Sequence, residues 1–211
     1  MSDNPLFLGI INKKITPNNL SIFLVEKWYS EIVGKHEKQI INTENITTEQ
    51  FIKQIKEIIG KKRIVCCIYI CMHGKQFARK NEPGKFDEYL KLNERNLLID
   101  TEFSELINSL PIINKYLMIE VCHSGGLLND IKCDYERNIP CNSTILSLCS
   151  KDEKCYYKQR IINEQLCTIC YFTLVFERSQ INPLKDPIKA LQILKRFKGI
   201  PIHPKLILIT N

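Results

Sequence analysis

Two kinds of hydrophobic pattern alternate along this chain: short unbroken apolar runs, and longer stretches in which apolar residues recur every three or four positions. Leu6 to Ile11 is a run of the first kind, and after Thr16-Pro17-Asn18 the residues Leu20, Phe23, Leu24, Trp28 and Ile32 fall on one helical face. A second strand is expected near Gln39 to Ile41. Thr47 with Gln50 three residues on matches a capping box, and Phe51, Ile55, Ile58 and Ile59 hold helical spacing until Gly60. Ile64 to Cys71 is continuously apolar and rich in β-branched residues, the pattern of a strand covered on both faces. A polar stretch from Lys75 to Lys85 and a small hairpin near Tyr89 to Leu98 lead to a helix marked by Phe103, Leu106, Ile107 and Leu110 and stopped by Pro111. Tyr116 to Ile119 is the next buried strand, followed by a strand at Thr144 to Cys149, a mixed apolar segment at Leu166 to Phe176, a helix at Ile188 to Phe197 and a last strand at Leu206 to Ile209. Strands alternating with helices predict an α/β fold with a mostly parallel, helix-covered sheet.

Composition narrows the class without changing that picture. The 211 residues, 44% hydrophobic and 25% charged, suit one soluble globular domain with a substantial core. The apolar run from Ile64 to Met72 is about half the roughly 20 residues that a spanning helix needs, and Asp3 and Asn4 interrupt a signal-peptide pattern, so an intracellular, cytoplasmic setting without membrane contact is expected. The ten cysteines fall largely inside apolar segments such as Cys66, Cys67, Cys71 and Cys149, which suits reduced, buried thiols. A net charge of +7 is spread along the chain with only Lys61-Lys62-Arg63 in a run, the sign of a solvated basic face and not of a nucleic-acid surface. Cys167-Thr168-Ile169-Cys170 has the spacing of half a zinc site, but no second pair accompanies it, and core packing is the better reading.

The chemistry gathers where two of the predicted strands stop. One ends in His73-Gly74 and the other in Glu120-Val121-Cys122-His123-Ser124-Gly125-Gly126. Open α/β sheets place their sites beyond the carboxyl ends of the strands, and a thiol beside an imidazole becomes a nucleophile. Either residue alone is more often structural, and together, 49 residues apart, they have the histidine-to-cysteine spacing of caspases. With the His73-Gly74 and Cys122-His123-Ser124-Gly125 contexts, the chain resembles the caspase-like clan of cysteine peptidases and metacaspases in particular. Asp87-Glu88-Tyr89-Leu90, Leu98-Ile99-Asp100 and the final strand extend that likeness.

The resemblance implies a caspase-like fold with a mostly parallel six-stranded sheet and helices on both faces. It implies one peptidase domain over 1–211, large-subunit-like to about 130 and small-subunit-like from about 140. Cys122 would be the nucleophile and His73 the base, with the backbone N–H groups of Gly74 and Cys122 as oxyanion donors and no cofactor needed for the chemistry. Glu120, two residues before the nucleophile, would line the first specificity pocket and favour cleavage after Arg or Lys. The second pocket aspartate of metacaspases aligns with Asn19, and Asp152 with Glu153 would supply the missing charge. Calcium as an activator would fall to Asp87, Asp100 and Asp130. Lys132 and Arg137 are candidate self-cleavage points, and the partners are a peptide or protein substrate for a monomeric enzyme. Two other readings stay open: a legumain-like peptidase or transpeptidase cutting after Asn, which also carries glutamate at the position of Glu120, and a non-catalytic binding module.

Overall fold

The computed structural model describes residues 4–14, 16–59, 63–80, 82, 85–127, 142–147, 149, 155, 157–162, 164–196 and 205–209. The first half runs β1 (Leu6–Ile11), α1 (Leu20–Val33), β2 (Glu37–Asn42), α2 (Thr48–Ile59), β3 (Arg63–Cys71), β4 (His73–Ala78), β5 (Phe86–Lys91), β6 (Leu97–Ile99) and α3 (Asp100–Ser109). The second half runs β7 (Ile112–Glu120), α4 (Ser124–Leu127), β8 (Asn142–Ser147), β9 (Tyr157–Ile162), β10 (Gln165–Cys170), α5 (Tyr171–Arg178), α6 (Pro187–Arg196) and β11 (Lys205–Ile209).

Six strands form the central sheet in the order β11-β8-β7-β3-β1-β2. Five are parallel, and β11 pairs antiparallel with β8. Parallel neighbours need crossovers, and α1, α2 and α3 supply those that link β1, β2, β3 and β7. The expected mostly parallel six-stranded sheet is therefore present. The stretch after His73 is more than a polar connection, because β4 pairs with β5 and β5 with β6 in a small antiparallel sheet. The apolar segment after Leu166 divides into β10, paired with β9, and α5.

Strand alternation builds two cores from one sheet. Cys66, Ile68, Ile70 and Met72 face the layer of α2 and α3, where they meet Phe51, Ile55, Phe103 and Leu106. Cys67, Tyr69 and Cys71 face α1, α5 and α6, where they meet Val25, Trp28, Tyr29, Phe172 and Phe176. Every described residue of β3 from Cys66 to Cys71 is at most 2% exposed, which is why its sequence carries no polar position. Burial of each such large side chain contributes about 1.5 to 3 kcal/mol. The capping box is reciprocal as expected: the Gln50 amide N–H donates to Thr47 Oγ1 at 3.2 Å and the Thr47 N–H to Gln50 Oε1 at 2.9 Å.

Candidate active site

Register brings the two sequence motifs together. β3 and β7 are parallel neighbours with Cys71 opposite Glu120, so His73 and Cys122 each stand two residues beyond a matched pair at the same end of the sheet. Beyond Cys71 the chain enters β4, and Gly74 packs so closely on the other strand's turn that a Cβ there would lie 1.9 Å from the Cys122 carbonyl oxygen. Only a residue without a side chain allows this contact.

The turn that carries Cys122 is held from several sides. His123 takes a left-handed φ of 59°, a sparsely populated conformation for a non-glycine residue. Ser124 is fully buried, its hydroxyl 2.7 Å from that of Ser147 on β8, and Ser147 donates to the Cys149 carbonyl at 2.8 Å. Cys122 itself is half-buried, and its Sγ accepts the backbone N–H of Cys155 at 3.2 Å. Nearby, the Tyr157 hydroxyl lies 2.7 Å from the Glu120 carbonyl and 3.3 Å from that of Met72, tying the ends of β7 and β3. Neither Cys155 nor Tyr157 belongs to a motif, and no local signal in the sequence marks them.

His73 is exposed and is not hydrogen-bonded to Cys122 in this arrangement of the side chains. Partial burial, helped by the nearby Lys91 and Lys75 charges and opposed by Glu94, pulls its imidazole below the ordinary value of 6.5. The ring is therefore neutral at pH 7 and able to take a proton. A polar cleft of about 570 Å³ opens beside the ends of β1 and β2, lined in part by Asn12, Glu44, Asn93 and Glu94.

Glu120 and Asn19 meet at Ser21. Asn19 caps α1, accepting the Ser21 N–H at 2.9 Å, and its strand-like bridge to Thr168 brings β10 to the same place. Glu120 is fully buried, accepts Tyr69 Oη at 2.5 Å and Thr173 Oγ1, and also bonds Ser21 and Cys170. Burial raises its carboxyl above the usual range, opposed by those donors. Its oxygens thus face hydroxyl groups and not solvent. The Asn19 Nδ2 and Thr168 Oγ1 atoms are buried beside it with no hydrogen-bond partner among the described residues.

A raised folded-state value means that the stability contributed by the Glu120 carboxyl is complete below its unfolded value near 4.5 and is lost as pH rises through the folded value. Each unit of elevation is worth about 1.4 kcal/mol. Glu120→Gln keeps the shape without titrating, so its melting temperature is expected to match wild type near about pH 4.5 and to exceed it near about pH 8. Parallel melting profiles for the two proteins across that range would refute the assignment.

The calcium candidates separate. Asp87 accepts Arg79 Nε at 2.5 Å in an ion pair. Asp100 is buried at the start of α3, accepts the Thr101 N–H at 2.7 Å, and is bonded by Glu88, whose carboxyl is raised by burial and by Asp100. The residue facing Asp100 is therefore Glu88, missed because β5 alternates and turns Asp87 to the other side. Oxygen donors of this kind suit calcium, which takes six to eight of them. No group of three acidic, histidine or cysteine side chains placed to hold a metal is found among the described residues. Asp130, Lys132, Arg137, Asp152 and Glu153 lie outside the described residues.

Comparison with known proteins bears on the fold and on one local stretch of sequence. No protein-family model matches the chain. Over 63 residues it is 38% identical to Metacaspase-9 of Arabidopsis thaliana, a match covering 28% of this chain and 19% of that protein's length. The chain's fold is similar to the crystal structure of protein GSU0716 from Geobacter sulfurreducens, with a TM-score of 0.59 at 15% identity, covering 99% of this chain and 93% of the other. Among the described residues no helix is long and apolar enough to cross a membrane. The chain is an α/β protein whose sheet is consistent with a caspase-like fold, carrying a local sequence likeness to a plant metacaspase.

Proposed function

We propose that this protein is a cysteine peptidase of metacaspase type, with Cys122 as nucleophile and His73 as general base. The observation that carries the reading is the register of β3 and β7, which delivers His73-Gly74 and Cys122 to one sheet end with Gly74 seated on the Cys122 carbonyl. His73, neutral at pH 7, takes the thiol proton, and the thiolate attacks the peptide carbonyl. The N–H groups of Gly74 and Cys122 receive the developing oxyanion, each such donor being worth about 3 kcal/mol. The imidazolium then protonates the leaving amine, and water releases the acyl group in the second step.

The specificity expected here is for Lys or Arg before the scissile bond, with Glu120 as the counter-charge. In the free protein Glu120 is saturated by Tyr69 and Thr173, so a basic side chain must displace a hydroxyl, and ionisation of the raised carboxyl favours it. Cleavage after Arg and Lys is therefore expected to gain on cleavage after Asn as pH rises, a trend that Glu120→Gln removes. Glu88 and Asp100 would offer calcium two oxygen donors, and among the described residues no third acidic side chain joins them. The enzyme acts as an intact, monomeric chain in this reading.

The test is covalent capture together with turnover. A peptidyl acyloxymethyl ketone should alkylate Cys122, seen as a single adduct on its tryptic peptide. In a fluorogenic panel with Arg, Lys, Asn or Asp before the scissile bond, assayed with and without calcium, the Arg and Lys peptides should be cleaved. A folded protein that forms no adduct and cleaves nothing would overturn the peptidase reading and put the binding module ahead of it.

A further inference from the structure

Several thiols crowd one side of the nucleophile, and two of them are set to bond. Cys155 Sγ and Cys170 Sγ are 3.5 Å apart, both buried. A disulfide bond is about 2.05 Å long, so a closure of about 1.5 Å, within reach of small side-chain rotations, would join them. Cys170 and Cys167 do not form the working pair despite their spacing. Residues three apart on a strand face opposite sides, and β10 turns Cys170 toward Cys155.

The two members of the pair belong to different parts of the site. Cys170 is a fixed post at the junction of β10 and α5, its backbone N–H donating to Ser21 Oγ at 2.8 Å. Cys155 carries the contact to the nucleophile, with its N–H on Cys122 Sγ at 3.2 Å. A substrate carbonyl approaching that side of the sulfur meets the Cys155 backbone first. Whatever fixes Cys155 in place therefore keeps the sulfur covered.

We propose that Cys155 and Cys170 form a dithiol–disulfide pair whose oxidised state holds the Cys155 backbone against Cys122 and closes the active site. The oxidant is a small disulfide of the glutathione class. The Cys155 thiolate attacks it and forms a mixed disulfide, releasing one glutathione thiol. The Cys170 thiolate then displaces the second glutathione, forming the Cys155–Cys170 bond. Two protein thiols lose two electrons and two protons, and one glutathione disulfide becomes two thiols. The hydrogen bond with Cys149, and after it burial, pushes the Cys155 thiol well above its usual range, and burial does the same to Cys170, so exchange is slow while Cys155 sits on Cys122 and the reduced pair persists. Cys149 also bonds Cys155 and is the competing partner.

The inference rests on Cys122 as the reactive thiol of the proposed peptidase, and its readout is chemical so that the two can fail separately. The full chain is equilibrated with oxidised glutathione or with dithiothreitol, quenched in acid, and mapped by mass spectrometry. The expected result is a Cys155–Cys170 linked peptide that dithiothreitol removes. Alkylation of Cys122 by iodoacetamide is expected to slow at least tenfold in the oxidised protein. The slowing should be absent in Cys170→Ser and in Cys155→Ser, each checked for native melting. A Cys149–Cys155 bond, free Cys155 and Cys170 thiols after oxidation, or equal slowing in the serine variants overturns the proposal. A Cys122 that is inert even when reduced defeats the peptidase reading, while the mapped pairing still decides whether the dithiol closes.

Discussion

Cys122→Ala is expected to lower kcat/KM for every cleaved peptide by about a thousandfold or more, with a melting temperature close to that of wild type. The side chain is half-buried and loses one hydrogen bond, from the Cys155 N–H, so truncation removes chemistry without opening a large cavity. His73→Ala should cost a similar factor, and the double variant little more than either, because a nucleophile and its base act as one unit. The pH profile adds an independent mark. An imidazole is a base only above its pKa, and that of His73 is pulled below 6.5 by burial and by Lys91. The acid limb of kcat/KM should thus have its midpoint below 6.5 and vanish in His73→Ala. Residual turnover in Cys122→Ala near the wild-type rate, or additive losses in the double variant, would place the reaction on other residues.

The parts of this molecule that could be read in advance are those whose physics is local. β3 is unbroken apolar sequence because both of its faces are covered, and it stops at His73-Gly74; Tyr116 to Ile119 in β7 behaves the same way before Cys122. The Thr47 capping box and the stop at Pro111 likewise depend on neighbours a few residues away. β9 is not legible in the sequence, since Tyr157 to Ile162 is an outlying strand of a two-stranded ribbon, with Lys158, Gln159 and Ile161 exposed, and has no alternation to reveal it. That Glu88 and not Asp87 faces Asp100 follows from a strand parity that appears only once β5 has partners on both sides. Cys155 and Tyr157 reach the site from 33 and 37 residues beyond Cys122 and Glu120. Such contacts are set by the path of the chain over the sheet end, for which no short motif exists.

Gly74→Ala should cause the largest loss of any substitution that adds no charge and removes no reacting group. The added Cβ would stand 1.9 Å from the Cys122 carbonyl oxygen, 2.9 Å from its carbon and 2.8 Å from Val121 Cγ1. Two of these three atoms are backbone, so no rotamer change relieves the clash. β4 cannot simply slide away, because His73 to Ala78 is paired residue by residue with β5, from His73 opposite Lys91 to Ala78 opposite Phe86. The relief left is a displacement of more than about 1 Å between the His73-Gly74 corner and the Cys122 turn. Overpacking of this kind costs about 1 to 3 kcal/mol of stability, and a misplacement of about 1 Å costs about a hundredfold in rate. Gly34 is the control: its φ of 71° strains any other residue, but nothing lies within 4 Å of a Cβ there. Gly34→Ala should lose about 1 to 3 kcal/mol in a thermal melt and keep its full kcat/KM. If Gly74→Ala also kept its activity, the close packing of the two strand ends could not be what aligns the histidine with the cysteine, and the oxyanion role of the Gly74 N–H would fall with it.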